Sequence, residues 1–555
     1  MKVFIRNSLA AVLGGLSAVA VLSFLEPAPA HAEGQPLQTM HTREAVLNKQ
    51  AAWVSQLPVT QVLHLNIALP LRNEAELDEL LQQLYDPGST SYRQFLSVEE
   101  FTERFGPSQE DYDTVVNFAK ENGFTVAGAA PNRLIVTVSG TVENIERAFS
   151  VKMGLYQHPT ENRTFYAPDR EPAVDLPVAL WHITGLDNYS IPHPANLIRV
   201  SEATKNTTGS GPNGYFIGSD LRAAYYGVTG TTALTGSGQS IGLVEFAGYN
   251  INDVNTYFEK VGQAFSVPIV GVSTDGSSLS CTGSCDDTEQ ALDIEEAISM
   301  APGLASVRVF VSDTSDVSIF NAMATSKPLA ASLSCSWGWS PADPASDDPI
   351  FKEFAAQGQN LFAASGDSGS YRTRSRYVYP ADDAYVTSVG GTDLTTEGPG
   401  GAWLSETAWY DSGGGISPNR IAIPSYQKIP GVITTANKGS TVYRNSPDVA
   451  AEANTDNYIC YDGTCAGGWG GTSFAAPRWA GYLALVNQQL AANGQKTAGF
   501  INPSLYTIGV GASRGNDFHD ITSGSNGAYS AVKGYDLVTG WGSPNSTGLI
   551  TTLAP

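Results

Sequence analysis

The chain has 555 residues, of which 54 are acidic and 31 basic, so its formal net charge at pH 7 is −23. This length predicts two sizeable domains, and the acidic balance argues against nucleic acid as a partner. An acidic chain also suits work at low pH, where many carboxyl groups are neutral.

The first 32 residues have the pattern of a secretory signal peptide. Lys2 and Arg6 precede an apolar run from Leu9 to Phe24, and Ala-Pro-Ala-His-Ala ends at Ala32. The run is short for a membrane span, and no later segment is long enough for one. The sequence therefore predicts a secreted, extracellular protein with no membrane partner.

Residues 33–197 predict a smaller α+β domain. Its predicted strands are Leu63–Leu69 and Leu134–Val138, and its predicted helices are Glu74–Tyr85, Val98–Phe105, Gln109–Asn122 and Val142–Phe149. Thr141 is a candidate N-cap for the last helix. The prolines and polar residues between positions 191 and 214 predict an exposed, cleavable linker.

Residues 198–555 predict an α/β domain. Its predicted strands are Ser240–Phe246, Ser306–Val311, Leu329–Trp337, Asn360–Ser365 and Tyr385–Val389, and its predicted helices are Asp287–Met300, Val317–Ala324 and Pro349–Gln357. Strands that alternate with helices indicate a mostly parallel sheet with helices on both faces. Functional groups in such a sheet collect beyond the carboxyl ends of its strands.

The five cysteines do not form a zinc pattern, because their spacing is wrong and no histidine lies near them. Export permits disulfides, and Cys281 with Cys285 and Cys460 with Cys465 could each close a small loop. Cys335 lies in an apolar strand, so we expect a buried free thiol there.

Ser473 lies in the run Gly-Gly-Thr-Ser-Phe-Ala-Ala-Pro. A serine with small neighbours at the start of a helix suits a nucleophile, although Gly-Thr-Ser is also a common loop. Such a serine needs a base, which is usually histidine. Six of the seven histidines lie in the part that we expect to be removed: His31, His41, His64, His158, His182 and His193. We interpret the seventh, His519, as structural, so the base must be another group.

Two carboxyl groups could replace the histidine. Glu289 and Asp293 are four residues apart in a predicted helix and therefore share one face. Neighbouring carboxyl groups push their proton affinities apart, which makes an acid–base pair at about pH 4, where histidine is protonated. The alternative is a solvated acidic face, because four more acids lie close in sequence: Asp286, Asp287, Glu295 and Glu296.

Asp367 directly follows the predicted strand Asn360–Ser365, within Ser-Gly-Asp-Ser-Gly. This is where a parallel sheet places functional groups. A protonated aspartic acid can donate a hydrogen bond to a developing oxyanion. The alternative is an ordinary Asp-Ser-Gly turn.

Together these motifs resemble the sedolisin family of serine-carboxyl peptidases. The resemblance rests on Glu-Gln-Ala-Leu-Asp, Ser-Gly-Asp-Ser-Gly and Gly-Gly-Thr-Ser-Phe-Ala-Ala-Pro, and extends to the family's prodomain at Tyr92–Leu96 and Glu99–Phe101. It implies a subtilisin-like fold, activity in acid and self-cleavage of the prodomain.

The resemblance also implies a role for each site residue. Ser473 would be the nucleophile, Glu289 the general base and then acid, Asp293 its orienting partner, and Asp367 part of the oxyanion hole. In kumamolisin-like members a further glutamate and a tryptophan extend the hydrogen-bond network. Glu245 and Trp337 occupy those places here, although Glu245 could also be a paired acid at a strand end.

A calcium site is implied near the C-terminus. The family places one structural Ca²⁺ ion in this region, where hard oxygen ligands are needed. Asp520 and Asp536 would bind it through their side chains, and Ile521, Val532 and Gly534 through their carbonyl oxygens.

The sequence thus predicts a monomeric, secreted, acid-acting endopeptidase made as a self-processing proenzyme. Its partners would be protein or peptide substrates and its own prodomain, acting as an intramolecular inhibitor. One alternative is a catalytically inactive homologue that only binds. Another is a glycoside hydrolase that uses the carboxyl pair and does not need Ser473.

Overall fold

The computed structural model describes residues 35–36, 43–128, 130–195, 197–200, 208–283, 285–372 and 377–555. The predicted signal peptide lies outside the described residues. Among the helices that are described, none has the length and apolar character needed to cross a bilayer.

The N-terminal unit is built on a four-stranded antiparallel sheet. Its strands in spatial order are Thr125–Val126, Ile135–Thr141, Val62–Ala68 and His182–Thr184. A second antiparallel sheet contains Trp53–Gln56, Met153–Gln157 and Thr164–Pro168, and Gln35–Pro36 pairs with Ala173–Val174. The helices are Glu44–Leu47, Glu74–Leu84, Val98–Arg104, Gln109–Glu121 and Val142–Phe149. This is the predicted α+β unit, with the ends of the predicted elements shifted by a few residues.

Local signals in the sequence account for these elements. Leu63, Leu65 and Ile67 alternate along their strand and are all buried in the core of the unit. Thr141 caps the helix that follows it, because its hydroxyl accepts a hydrogen bond from the amide of Asn144 at 3.3 Å.

The second unit is built on an eight-stranded sheet. Seven strands follow in the spatial order Ile269–Ser273, Ser306–Val311, Ser240–Glu245, Ser332–Cys335, Asn360–Ala364, Thr387–Thr396 and Trp403–Ala408, and Val449–Glu452 also pairs with Thr387–Thr396. Only the pair formed by Trp403–Ala408 is antiparallel. The described helices are Gly218–Tyr225, Ile251–Lys260, Thr288–Met300, Asp316–Thr325, Pro344–Gln357, Thr472–Ala492, Asn502–Val510, Arg514–Asp517 and Gly548–Leu553. The α/β prediction is confirmed.

Short strands complete the second unit. They pair as His193–Pro194 with Trp337–Gly338, Gly415–Ile416 with Asn445–Ser446, and Phe518–His519 with Ser543–Pro544, while Thr464–Gly470 pairs with both Asn457–Tyr461 and Ile198–Arg199. Two 3₁₀ turns lie at Pro212–Gly214 and Ser425–Lys428. Disulfides join Cys281 to Cys285 and Cys460 to Cys465, two pairings that the sequence permits. Cys335 is a buried free thiol, as predicted.

Two helices pack together in the core of the second unit. The carboxyl helix (Thr288–Met300) is buried at all of its positions. The serine helix (Thr472–Ala492) packs against it and against the central strands of the sheet. The interpretation of Glu289 and Asp293 as members of a solvated acidic face is therefore wrong.

The N-terminal unit docks on two further helices, Asp316–Thr325 and Pro344–Gln357, which we call the docking helices. Asn132 of the N-terminal unit is fully buried there. Its amide donates to the Asn321 side chain at 2.8 Å and to the Glu353 carboxyl at 2.7 Å. A buried polar group needs such partners, so these bonds fix how the two units fit together.

Candidate active site

The carboxyl helix presents Glu289 and Asp293 on one face, and their exposed fractions are only 3% and 0%. Burial, followed by the charge of Asp293, raises the pKa of Glu289 well above its usual value. Burial raises the pKa of Asp293 to about 8, although hydrogen bonds favour its ionised form. Two neighbouring carboxyl groups that are buried together do not easily ionise at the same time, so the pair keeps a proton that the two groups share.

Ser473 lies in the first turn of the serine helix and is fully buried. Its hydroxyl faces Glu289 closely enough to offset part of the rise in the pKa of that carboxyl. In the described part of the chain, neither the Ser473 hydroxyl nor either Glu289 oxygen has a well-formed hydrogen-bond partner. The two groups therefore keep their hydrogen-bonding capacity for each other.

A row of further groups continues behind Asp293. The Ser336 hydroxyl donates to Asp293 Oδ1 at 2.7 Å, and Trp337 Nε1 donates to Glu245 Oε2 at 3.0 Å. Burial, followed by the charge of Asp293, raises the pKa of Glu245 well above its usual range. A protonated Glu245 can donate to Asp293, and this interaction favours the ionised form of Asp293. The row thus runs from Trp337 through Glu245 and Asp293 toward Glu289.

Asp367 reaches the same site from the end of the strand Asn360–Ala364. Its Oδ1 accepts hydrogen bonds from the amide and the hydroxyl of Thr472, at 2.6 and 2.7 Å. Burial raises the pKa of Asp367 to about 7 despite those bonds. Its other oxygen points toward Gly471, where a Cβ atom would lie only 2.7 Å from it. Below pH 7 this carboxyl can therefore act as a hydrogen-bond donor beside Ser473.

The linker enters the cleft along one wall. His193–Pro194 pairs antiparallel with Trp337–Gly338. The Ala195 amide then donates to the carbonyl of Ser336 at 3.2 Å. Ser336 in turn contacts Asp293, so this part of the linker lies beside the carboxyl row.

The linker leaves the cleft along the opposite wall. Ile198–Arg199 pairs antiparallel with Trp469 and Gly470. A Cβ atom on Gly471 would lie 2.8 Å from Leu197 Cδ2. The expectation of an exposed linker is therefore wrong at Ala195, which is only 6% exposed, whereas Arg199 and Val200 are exposed as expected.

Comparison with known proteins decides the family. Residues 49–189 match the pro-kumamolisin activation domain, and residues 246–498 match the subtilase family. Kumamolisin from Bacillus sp. (strain MN-32) is 32% identical over 541 residues, which cover 90% of this chain and 94% of that protein. The chain belongs to the sedolisin family of serine-carboxyl peptidases.

Two further relatives agree with this family. Sedolisin from Pseudomonas sp. (strain 101) is 28% identical over 542 residues, which cover 89% of this chain and 88% of that protein. The solved structure of Pseudomonas sedolisin, complexed with two molecules of pseudo-iodotyrostatin, superposes with a TM-score of 0.52 at 26% identity, covering 62% of this chain and 98% of that one.

Membership of this family assigns a role to each of the two units of the chain. The second unit is the peptidase, with a subtilisin-like fold, and the N-terminal unit is its activation prodomain. A glycoside hydrolase is therefore not the right class for this chain. The boundaries at residues 32 and 197 stay predictions.

Some groups at this sedolisin-type site were not singled out from the sequence. Arg478 on the serine helix donates to Glu296 on the carboxyl helix at 2.7 Å, and both are almost fully buried. Glu296 could have been found, because it lies three residues after Asp293 on the same helix face. Arg478 carries no such signal, since only the packing of the two helices brings it to Glu296.

The predicted calcium ligands lie on loops of the peptidase that contact each other: Asp520, Ile521, Val532, Gly534 and Asp536. The amide of Gly534 donates to Asp520 at 3.0 Å, and that of Val532 donates to Asp536 at 3.0 Å. Within the described residues, the carbonyl oxygens of Ile521, Val532 and Gly534 accept no hydrogen bond. Two carboxylates and three such carbonyls are hard oxygen donors, which fits Ca²⁺.

His519 does not take part in the predicted catalytic row. Its ring stacks face to face on Trp403, with the ring centroids 3.8 Å apart. This contact agrees with the structural role expected for it.

Proposed function

We propose that this peptidase is a secreted, monomeric endopeptidase that acts in acid through Ser473 and a row of carboxyl groups. The observation that supports this most is the burial of Ser473 beside Glu289, with Asp293 and Glu245 behind Glu289. The signal-peptide pattern of residues 1–32 supports secretion.

In the proposed reaction, the carboxyl row holds fewer negative charges than it has members, because burial and repulsion favour protons. The Ser473 hydroxyl favours the charge on Glu289, which accepts the serine proton as the oxygen attacks the substrate carbonyl. Asp293 orients Glu289 and shares its proton. Protonated Glu289 then donates to the leaving amine, and the acyl-enzyme is hydrolysed by water that Glu289 activates.

Asp367 would stabilise the oxyanion of the tetrahedral intermediate through the proton on its free oxygen. It carries that proton only below its pKa of about 7. A carboxyl base and a carboxylic-acid donor therefore both suit acid, where histidine would be protonated. The proposed activity is therefore limited to acidic solution.

The decisive experiment measures cleavage of a denatured protein from pH 3 to 8 by the wild type and by Glu289→Gln. We expect activity confined to acid in the wild type and a loss of about 10³-fold or more in the variant. Glu295→Gln is the matched control, because Glu295 is an equally buried acid on the same helix that faces Cys460. A peak near neutral pH, or full activity in Glu289→Gln, would refute the proposed mechanism, and a wild type inactive at every pH would favour the inactive homologue.

Self-processing is part of the proposal. The linker is held on both walls of the cleft, so the cut should fall between Ala195 and Leu197. The Ser473→Ala precursor should then remain intact in acid, whereas the wild type should yield a product that begins at residue 196 or 197. Mass spectrometry of both chains tests this, and normal processing of Ser473→Ala would remove Ser473 from the mechanism.

We also propose that Asp520, Asp536 and the three carbonyls of Ile521, Val532 and Gly534 hold one structural Ca²⁺ ion. The ion would clamp the two loops and stabilise the folded peptidase by mass action. Removal of calcium with a chelator should lower the melting temperature, and added Ca²⁺ should restore it. A melting temperature that ignores both treatments would contradict the site.

A further inference from the structure

A β-hairpin forms the wall of the cleft along which the linker leaves. Its strands are Asn457–Tyr461 and Thr464–Gly470, and the disulfide between Cys460 and Cys465 closes it. The second strand offers its free edge to the linker, which adds an antiparallel strand there. An exposed sheet edge can take any peptide in this way, because the bonds involve only the main chain.

The linker makes a further main-chain contact with this edge, where the Val200 amide donates to the carbonyl of Gly468 at 2.9 Å. A segment held through its backbone can be replaced by another peptide in the same register. Once the linker has left the cleft, the edge is therefore available to a substrate. Because these main-chain bonds do not distinguish one side chain from another, any sequence preference for the substrate must come from side-chain contacts.

The first side-chain contact is apolar. Leu197 packs, together with Trp469, against a buried cluster formed by Ala291, Leu292, Ile459, Tyr461, Ala466 and Phe474. This cluster joins the hairpin to both helices of the site, and its member Phe474 directly follows Ser473, so the apolar surface lies next to the serine. A pocket lined by such residues favours a branched or aromatic side chain and disfavours a polar one.

The second contact is cationic. The guanidinium of Arg199 lies over the ring of Trp469, 5.5 Å from its centroid, and donates to the hydroxyl of Tyr461 at 3.1 Å. The rings of Tyr461 and Trp469 meet edge to face at 5.1 Å, which fixes both for this contact. An aromatic face with a hydroxyl beside it is suited to a cation.

We propose that this hairpin is the substrate-recognition surface beyond the cleaved bond. It binds the substrate as an added strand and selects a large apolar residue followed, two positions later, by a basic residue. The Leu197 pocket takes the first side chain, and the Tyr461–Trp469 pair takes the second. This inference rests on the proposed function, because it assumes that the linker lies in the cleft as a substrate would.

The test uses the processed enzyme and a fluorogenic peptide with the sequence of residues 191–202, Ile-Pro-His-Pro-Ala-Asn-Leu-Ile-Arg-Val-Ser-Glu. Replacing its leucine by serine should lower kcat/KM by about 10- to 100-fold, mainly through KM, because the burial of one large apolar side chain is lost. Replacing its arginine by serine should lower kcat/KM by about 2- to 5-fold, and replacing it by lysine by less.

Variants of the enzyme test whether Tyr461 and Trp469 bind the basic side chain of the substrate. Trp469→Leu should bring the arginine-to-serine ratio close to one while it keeps the leucine-to-serine ratio. Tyr461→Phe removes only the hydroxyl and should reduce the arginine preference partially, which keeps the test valid if Trp469→Leu does not fold. Val442→Ala, at a position 60% exposed, is the control and should leave both ratios unchanged.

The outcomes separate the two proposals. If Ser473-dependent cleavage occurs but both peptide ratios are close to one, the recognition surface is wrong and the proposed function stands. If no peptide is cleaved in acid, or if cleavage survives Ser473→Ala, the proposed function fails and this inference fails with it. If Trp469→Leu brings the arginine-to-serine ratio close to one and keeps the leucine-to-serine ratio, both the recognition surface and the proposed function are supported.

Discussion

Glu245, Asp293 and Glu289 form a row of buried carboxyl groups, and the number of charges in the row is set by what surrounds it. Trp337 and Ser336 donate hydrogen bonds to two of its members, which favours ionised forms. Burial and mutual repulsion favour protons. These opposing effects leave protons that can move within the row, so its members titrate as a unit and not as separate residues.

The oxyanion role proposed for Asp367 can be tested with a single substitution. In Asp367→Asn the amide keeps the bonds to Thr472, but it cannot match the acid as a donor to the oxyanion. We expect kcat to fall by about 10²-fold or more with KM nearly unchanged. Steady-state kinetics at pH 4 measure this, and an unchanged kcat would remove Asp367 from the oxyanion hole.

Asp411 supplies a matched variant for this prediction. Its charge contributes to the raised pKa of Asp367. Asp411→Asn should therefore lower that pKa and move the alkaline limb of the kcat–pH profile to lower pH, with activity at pH 4 kept. A limb that moves to higher pH would mean that another group controls it.

Among the elements, the prodomain makes a few polar contacts with the docking helices and with Asp343, which precedes the second of them. Besides the Asn132 contact, His182 pairs with Asp343 at 3.0 Å and Lys352 with Asp78 at 2.8 Å. A cavity of about 370 Å³ lies in the same interface, with His182 and Asp343 in its lining.

Asn132→Ala should loosen the prodomain. The substitution leaves Glu353 Oε2 without its donor in a buried interface, although Gln357 still donates to Oε1. The expected cost is about 1–3 kcal/mol, or about 5- to 150-fold in association. After processing at acid pH, the variant prodomain should leave the peptidase faster, as measured by size-exclusion chromatography over time. Asn162→Ala, at an exposed position, is the control, and equal release rates in all three proteins would contradict the role of Asn132.

The elements of the site could be predicted from the sequence to different degrees. The carboxyl helix was predicted to within one residue at its start, but its complete burial was not, because four acids beside Glu289 and Asp293 imitate a solvated face. Its buried acids are accommodated in two ways. Arg478, on a helix distant in sequence, pairs with Glu296. Burial raises the pKa of Glu289, Asp293 and Glu295, which favours their neutral forms. The helix was thus predictable from local pattern, whereas its environment depends on tertiary contacts.

The strand Thr387–Thr396 was predicted too short, and the hairpin at residues 457–470 was not predicted. The strand Thr387–Thr396 changes partner along its length. It pairs in parallel with Asn360–Ala364 and Val449–Glu452, and its later residues pair antiparallel with Trp403–Ala408. The hairpin contains the glycine-rich run Ala-Gly-Gly-Trp-Gly, which has no alternating apolar pattern. Both depend on pairing with segments distant in sequence, which a local pattern does not reveal.

At the scale of the whole molecule, the chain combines a net charge of −23 with many carboxyl groups inside. Burial raises the pKa of Asp293 and of Glu353 to about 8 and that of Asp367 to about 7. In the unfolded chain these groups would titrate near pH 4. Folding therefore takes up protons at neutral pH, so the same feature that suits the proposed chemistry to acid also couples stability to pH.

The stability of the folded protein should therefore fall as the pH rises from 4 to 8. A carboxyl whose pKa is raised in the folded state contributes its full stability below about pH 4 and loses that contribution as the pH rises through the folded value. The Ser473→Ala precursor, which should not digest itself, should thus have a melting temperature lower at pH 8 than at pH 4 by about 5 °C or more. The difference should persist in about 1 M salt, where repulsion between exposed charges is screened but buried groups are not. Glu353→Gln should show a smaller fall, because one titrating group is gone. A melting temperature of the Ser473→Ala precursor that is equal or higher at pH 8 than at pH 4 would show that these carboxyls are ionised in the folded protein.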